Sequence, residues 1–312
     1  FWVGSEQDPA SGGNASYLRW TIFAEGGNLG EIREQRFESP LFHVATRGLR
    51  HKVVLAVTAL PFGEQPGLLS VGFLHGDENR IELREVDANP VWHRPALVRR
   101  AEQGVIVLWV ASAGNFGHAV SYSEFSEAEE MVSFDGLPGT EAAGELSAWS
   151  VEGGLAVVWT VLDGVRNDLR YNIYQAPPGR PFQSVLNDGP RSLLPRIPNT
   201  PAQGNYPLWP QLTAALDDRA PTSLQLVWTH ERLDTDQGTL SSLRYTRIRD
   251  VGRADSLWQH EASTTVSDGT TNAGAGAVSA MGDTVTVAWH ALGSDGPAVG
   301  SACHAITQCG EE

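Results

Sequence analysis

Short apolar runs that close on an aromatic residue recur along the chain, separated by polar, glycine-rich stretches. They are Phe1-Trp2-Val3, Val105-Ile106-Val107-Leu108-Trp109, Leu155-Ala156-Val157-Val158-Trp159, Leu224-Gln225-Leu226-Val227-Trp228 and Val285-Thr286-Val287-Ala288-Trp289. A sixth, Val53-Val54-Leu55-Ala56-Val57, carries Val57 in the tryptophan slot, and successive slots lie 55, 52, 50, 69 and 61 residues apart. Each run is followed by a second strand-like segment, clearest as Leu18-Arg19-Trp20, Leu169-Arg170-Tyr171 and Leu243-Arg244-Tyr245. Leading strands such as 95–98 and 211–214, and outer strands such as 31–37 and 80–86, complete the unit. Alternation of period two is present and no amphipathic helix of useful length is, so every copy reads as four short antiparallel strands.

Four strands per repeat of 40–60 residues is the pattern of a β-propeller blade. The apolar run is nearly continuous because an inner strand of a blade is covered on both faces. The expected fold is therefore all-β: a six-bladed β-propeller in one domain, residues 1–312, with blades near 1–38, 39–88, 89–138, 139–188, 189–268 and 269–312. Copy one lacks a leading strand and copy six an outer one. A segment before Phe1, or another chain, is expected to complete the ring, since a propeller protects its strand edges by closing.

The combination of Gln211-Leu212-Thr213, Leu226-Val227-Trp228 and Leu243-Arg244-Tyr245 resembles the repeats of sialidase-like secreted bacterial propellers. The resemblance is one of repeat architecture and covers nearly the whole chain. The Asp box of that family is present only as the fragments Ser133-Phe134-Asp135-Gly136 and Ser267-Asp268-Gly269-Thr270. Pro195-Arg196-Ile197-Pro198 is similar to the family's Arg-Ile-Pro element but stands mid-chain instead of in the first blade.

Composition narrows the partners. The 312 residues carry 22 basic and 37 acidic side chains, a net charge of −15, which argues against nucleic acid and anionic membranes as partners. No apolar run approaches the length of a membrane-spanning helix. All the basic residues but Lys52 are arginine, a bias read as that of a GC-rich genome. Cys303 and Cys309 are expected to form a small disulfide in a secreted, periplasmic or cell-surface protein.

Candidate chemistry is sparse. The loops between the second and third strands are expected at 5–15, 60–67, 111–117, 162–168, 230–241 and 291–297, where acidic residues gather into one rim. Asp234 and Asp236, around a turn that ends at Gly238, are the candidate calcium ligands; no other cofactor is expected. Residues 187–210 hold six prolines, which stiffen a loop able to present Tyr206 and Trp209. With Arg196, and with Trp92 and His93 in an earlier crossing, these are the candidate ligand-binding residues. No nucleophile elbow, phosphate loop, dinucleotide fingerprint or zinc-protease motif occurs. The expected function is a non-catalytic binding or assembly module that engages a protein or glycan through its loop rim. The alternatives are a glycan-active hydrolase or lyase with a central acidic site, and a calcium-dependent lectin.

Overall fold

The computed structural model describes residues 1–7, 14–21, 30–37, 41–59, 68–75, 80–87, 93–100, 104–112, 118–151, 154–163, 166–176, 180–186, 189–192, 212–216, 223–234, 238–249, 259–260, 264–267, 272–281, 284–293 and 296–305. Every regular element among them is a strand. The fold is all-β, with six successive antiparallel sheets as expected for the blades of a six-bladed β-propeller; among the described residues the first and last sheets hold three strands each. The chain forms two compact units, residues 1–141 with 177–181, and residues 142–176 with 182–312.

The first unit contains three antiparallel sheets. They are β1 (Trp2–Gln7), β2 (Asn14–Trp20) and β3 (Arg33–Phe37); β4 (Leu41–Gly48), β5 (Lys52–Ala59), β6 (Leu68–His75) and β7 (Glu82–Asp87); and β8 (Ala96–Arg100), β9 (Gly104–Ser112), β10 (His118–Phe125) and β11 (Met131–Gly136). Each strand pairs with its neighbour in sequence. The role of the apolar run is visible in β5. Leu55 and Val57 pack with Leu18 and Trp20 of the first sheet, whereas Val54 and Ala56 pack with Val105, Val107 and Trp109 of the third. A strand buried on both faces has no solvent side to mark with polar residues, and each Val or Leu so buried contributes about 1.5–3 kcal/mol.

The second unit repeats the plan with β12 (Ala143–Val151), β13 (Gly154–Asp163), β14 (Arg166–Gln175), β15 (Gln183–Ser184) and β16 (Arg191–Ser192); β17 (Leu212–Leu216), β18 (Leu224–Asp234), β19 (Gly238–Arg249), β20 (Gln259–His260) and β21 (Thr264–Thr265); and β22 (Asn272–Met281), β23 (Thr284–Gly293) and β24 (Gly296–Ala305). Leu224, Leu226 and Trp228 of β18 pack against Trp149, Val158 and Tyr171, while Val227 joins Leu243 and Val285. Register explains the Leu-Arg-aromatic motif. Arg19, Arg170 and Arg244 lie directly across from Trp2, Trp159 and Trp228, so the arginine marks one fixed rung of the ladder.

Two expectations change. The loops placed at 162–168, 230–241 and 291–297 are largely strand: the final pairs of these hairpins are Asp163↔Arg166, Asp234↔Gly238 and Gly293↔Gly296. Polar residues beyond the apolar run continue the ladder because backbone pairing asks nothing of their side chains. The outer strands of the fourth and fifth sheets are each broken in two, β15 with β16 on β14 and β20 with β21 on β19. Two-residue pieces are too short to show any period.

Candidate functional site

Lys52 opens β5 in the slot that Gly104, Gly154, Ser223 and Thr284 hold just before the apolar runs of other copies. Antiparallel register sets it opposite His75, the last residue of β6. This end of the hairpin lies away from the 60–67 connection, so the pair stands at the strand ends opposite those where the loop rim is expected. In the next sheet, the turn between β10 and β11 supplies the third member, Glu129.

That turn is closely tied. The Glu129 N–H donates to the Ser126 carbonyl at 3.0 Å, the Ser126 N–H to the Glu130 carbonyl at 2.9 Å, and the Glu130 N–H to Ser126 Oγ at 3.2 Å. It holds Glu129 at φ 67°, a left-handed conformation that costs a side-chain-bearing residue roughly 1–2 kcal/mol. The result is a focal carboxylate. Glu129 Oε1 accepts from Lys52 Nζ at 2.9 Å and from His75 Nε2 at 2.6 Å, and the Glu129 carbonyl accepts from Arg84 Nη1 at 3.2 Å. Lys52 Nζ also donates to the Glu127 carbonyl at 2.6 Å and sits 5.1 Å from the Phe73 ring centroid.

Side-chain exposure of Lys52 is 9% and of Glu129 15%, while His75 reaches solvent. Burial alone pushes the Glu129 carboxyl up. The Lys52 hydrogen bond and charge, with those of His75, outweigh it and hold the group below its ordinary value, so it is ionised at neutral pH. Because a carboxylate only accepts, the shared proton of the His75–Glu129 contact belongs to His75 Nε2.

The cluster opens on a cleft of about 600 Å³ lined by Phe73, His75, Arg80, Glu82, Arg84 and Glu129. Its floor is positioned from the first sheet. Gln35 of β3 grips the Ile81 backbone through both amide atoms, accepting the Ile81 N–H at 2.9 Å and donating to the Ile81 carbonyl at 3.0 Å. This clamp places Arg80 and Glu82 on either side of it. Gly72 lets Ile81 and Leu83 settle onto β6, since a Cβ there would stand 2.6 and 2.8 Å from them.

None of these residues is among the sequence candidates. The signal was the break in the repeat, a lone lysine in a slot that elsewhere holds a small residue. Of the candidates, His93 is half-buried at the crossing before β8. It lies near His118 at the start of β10, whose pKa is lowered first by burial and then by the His93 charge. Asp234 ends β18 and Cys303 lies in β24. Trp92, Arg196, Tyr206, Trp209, Asp236 and Cys309 lie outside the described residues. Of the Asp-box fragments, Ser267 proves to be a latch, its Oγ accepting the Leu243 N–H at 3.0 Å.

No family model matches the chain, and no curated protein sequence does. Among solved structures it is similar to a GH93 α-L-arabinofuranosidase of Fusarium graminearum in complex with arabinobiose, at 9% identity over 87% of this chain and 94% of that one, TM-score 0.47. It is also similar to a β-1,2-mannobiose phosphorylase from Listeria innocua, at 11% identity over 87% and 91%, TM-score 0.45. A third is an α-L-arabinanase of Cellvibrio cellulosa, at 12% identity over 83% and 94%, TM-score 0.41. All three are catalytic proteins, and this finding corrects the expectation of a non-catalytic binding or assembly module. The absence of a local catalytic motif, on which that expectation stood, is no guide in a fold whose functional groups arrive from separate sheets.

Proposed function

We propose that the chain is a glycan-active enzyme, a hydrolase or lyase, that works at the Lys52–His75–Glu129 cleft. The observation that carries the reading is the concentration of acid–base groups around one carboxylate at the edge of an open cleft. Breaking or eliminating a glycosidic bond needs a group that accepts a proton or stabilises positive charge, and another that donates to the leaving oxygen. Glu129, kept ionised by Lys52, fits the first role. Glu82 and His75 stand in the same lining for proton transfer. Phe73 contributes an apolar wall, and the partly buried Lys52 keeps the carboxylate fixed in place.

The experiment is turnover on a panel of polysaccharides and chromogenic glycosides, read as reducing ends, released chromophore and the ultraviolet absorbance of unsaturated sugars. Glu129→Gln, with folding checked by circular dichroism, is expected to lower kcat/KM by about 100-fold or more on whichever substrate is turned over. Activity on no substrate overturns the reading, and so does a Glu129→Gln variant that retains full activity.

A further inference from the structure

The outer strands of the first unit's three sheets show different residues to solvent. The exposed positions of β3 are Glu34 and Arg36, and those of β7 are Glu82, Arg84 and Glu85. Charges of this kind keep an open strand edge from pairing with another chain. On β11 the exposed positions include Met131, Val132 and Phe134, at 49%, 62% and 54%. Among the described residues β11 pairs with β10 alone, and no strand lies along its outer edge.

Two backbone groups of this segment face β10. The Ser133 carbonyl accepts Ser123 Oγ at 3.0 Å, and the Leu137 N–H donates to the Val120 carbonyl at 2.8 Å. Alternation along the strand turns those of Phe134 and Gly136 to the outer edge. The register with β10 slips between Glu124 and Phe125, setting Met131 opposite Phe125 and Phe134 opposite Ser123. Phe125 and Ser123 lie two apart on β10, so Met131 and Phe134 share one face of the sheet. Phe134 is steadied there by the buried Trp109, their ring centroids 5.6 Å apart.

Charge indicates the partner. From residue 101 to 165 the chain has ten acidic residues and no lysine or arginine. Glu129 is matched by Lys52, and Glu124 by Arg100. Glu127 and Glu130 before β11, and Asp135 and Glu141 at and beyond its end, are exposed and form no ion pair among the described residues. Arg84, on the Glu129 carbonyl, offsets only one of the two charges at the near end. The residues of the first unit outside the described ones include no lysine, arginine or histidine. A second copy paired antiparallel about Ser133 would set Glu130 of each beside Asp135 of the other, and like charges oppose that pairing. We propose that the outer edge of β11 docks an extended segment of a partner protein, apolar at alternate residues and carrying lysine or arginine at both ends, which joins the sheet as an added strand. Its backbone bonds Phe134 and Gly136, its apolar side chains cover Met131, Val132 and Phe134, and its basic ends meet the carboxylates. The docking is independent of activity at the cleft.

The test is fluorescence anisotropy of the full chain with the labelled peptide Lys-Arg-Val-Thr-Val-Thr-Val-Arg-Lys, and with a counterpart carrying Glu in place of every Lys and Arg. The basic peptide is expected to bind about tenfold or more tightly than the acidic one, and less tightly as salt is raised. Methylating its valine amide nitrogens or, separately, its threonine amide nitrogens is expected to abolish binding in one case only, because an added strand is bonded along one edge. Met131→Ser combined with Val132→Ser is expected to weaken binding about tenfold or more, and Glu130→Gln combined with Asp135→Asn to remove most of the salt dependence. Neither pair is expected to alter the circular dichroism spectrum. No binding at about 1 mM peptide, the same outcome from both methylations, or an affinity indifferent to the β11 substitutions overturns the proposal. So does a dimer in sedimentation velocity that Met131→Ser with Val132→Ser dissolves, which makes a second copy the occupant.

Discussion

Replacing Lys52 with methionine isolates the electrostatics of the cleft, because the thioether chain matches the lysine stem in length up to Cε and removes only the ammonium, together with its position 5.1 Å from the Phe73 ring centroid. Two charge-assisted hydrogen bonds are lost, to Glu127 and Glu129. Truncating one member of a buried pair costs about 3–5 kcal/mol, and a hydrogen bond to a charged group is worth about 1.5–3 kcal/mol. Here His75 remains on the same carboxylate oxygen and offsets part of the loss. The expected destabilisation is about 2–3 kcal/mol at neutral pH. Its pH dependence follows from the lowered pKa of Glu129. A carboxyl held below its unfolded value stabilises the fold above that value, here 4.5, and the stabilisation is lost as pH falls through the folded value. The wild type therefore loses more on acidification than Lys52→Met, and the two stability curves converge. Urea unfolding followed by tryptophan fluorescence from about pH 7 down to about pH 3 measures this. Combining Lys52→Met with Glu129→Gln should give a smaller loss than the sum of the two singles. A gap that stays constant across the pH range, a cost below about 0.5 kcal/mol, or strict additivity would refute the reasoning.

Gly104→Ala should destabilise by more than about 2 kcal/mol in the same assay, since the residue has φ 106° and its Cβ would lie 1.9 Å from the Phe125 carbonyl oxygen; a neutral effect would contradict the packing. Trp109→Phe should cost about 1 kcal/mol more than Trp159→Phe. Both indoles are buried, but only Trp109 Nε1 has a described acceptor, Asp87 Oδ2 at 2.8 Å, and equal losses by calorimetry would remove that bond from the account. Thr140→Val and Ser267→Ala each orphan a buried N–H, of Val120 and Leu243, and should cost about 1–2 kcal/mol with faster exchange of those amides in hydrogen-exchange measurements.

The repeat was legible because each blade must satisfy the same local requirement. A strand covered by sheets on both faces, as β5 and β18 are, is apolar wherever no hydrogen-bond partner is at hand, and the one polar residue within Leu224–Trp228, Gln225, is buried with its side-chain carbonyl accepting from Tyr245 Oη at 2.6 Å. The arginine of the Leu-Arg-aromatic motif recurs for the same reason, as a fixed rung opposite the tryptophan slot. The hairpin ends were not legible, since Asp163, Asp234 and their neighbours stay in the ladder through backbone bonds that leave no mark on the side chains. The candidate site belongs to tertiary structure altogether. Lys52 and His75 meet only once the β5–β6 register is set, and Glu129 comes from the next sheet, 77 residues from Lys52 along the chain. Burial patterns repeat along a sequence because water acts on every residue alike, whereas a charged cluster depends on which distant residues the packed sheets bring within a few ångströms.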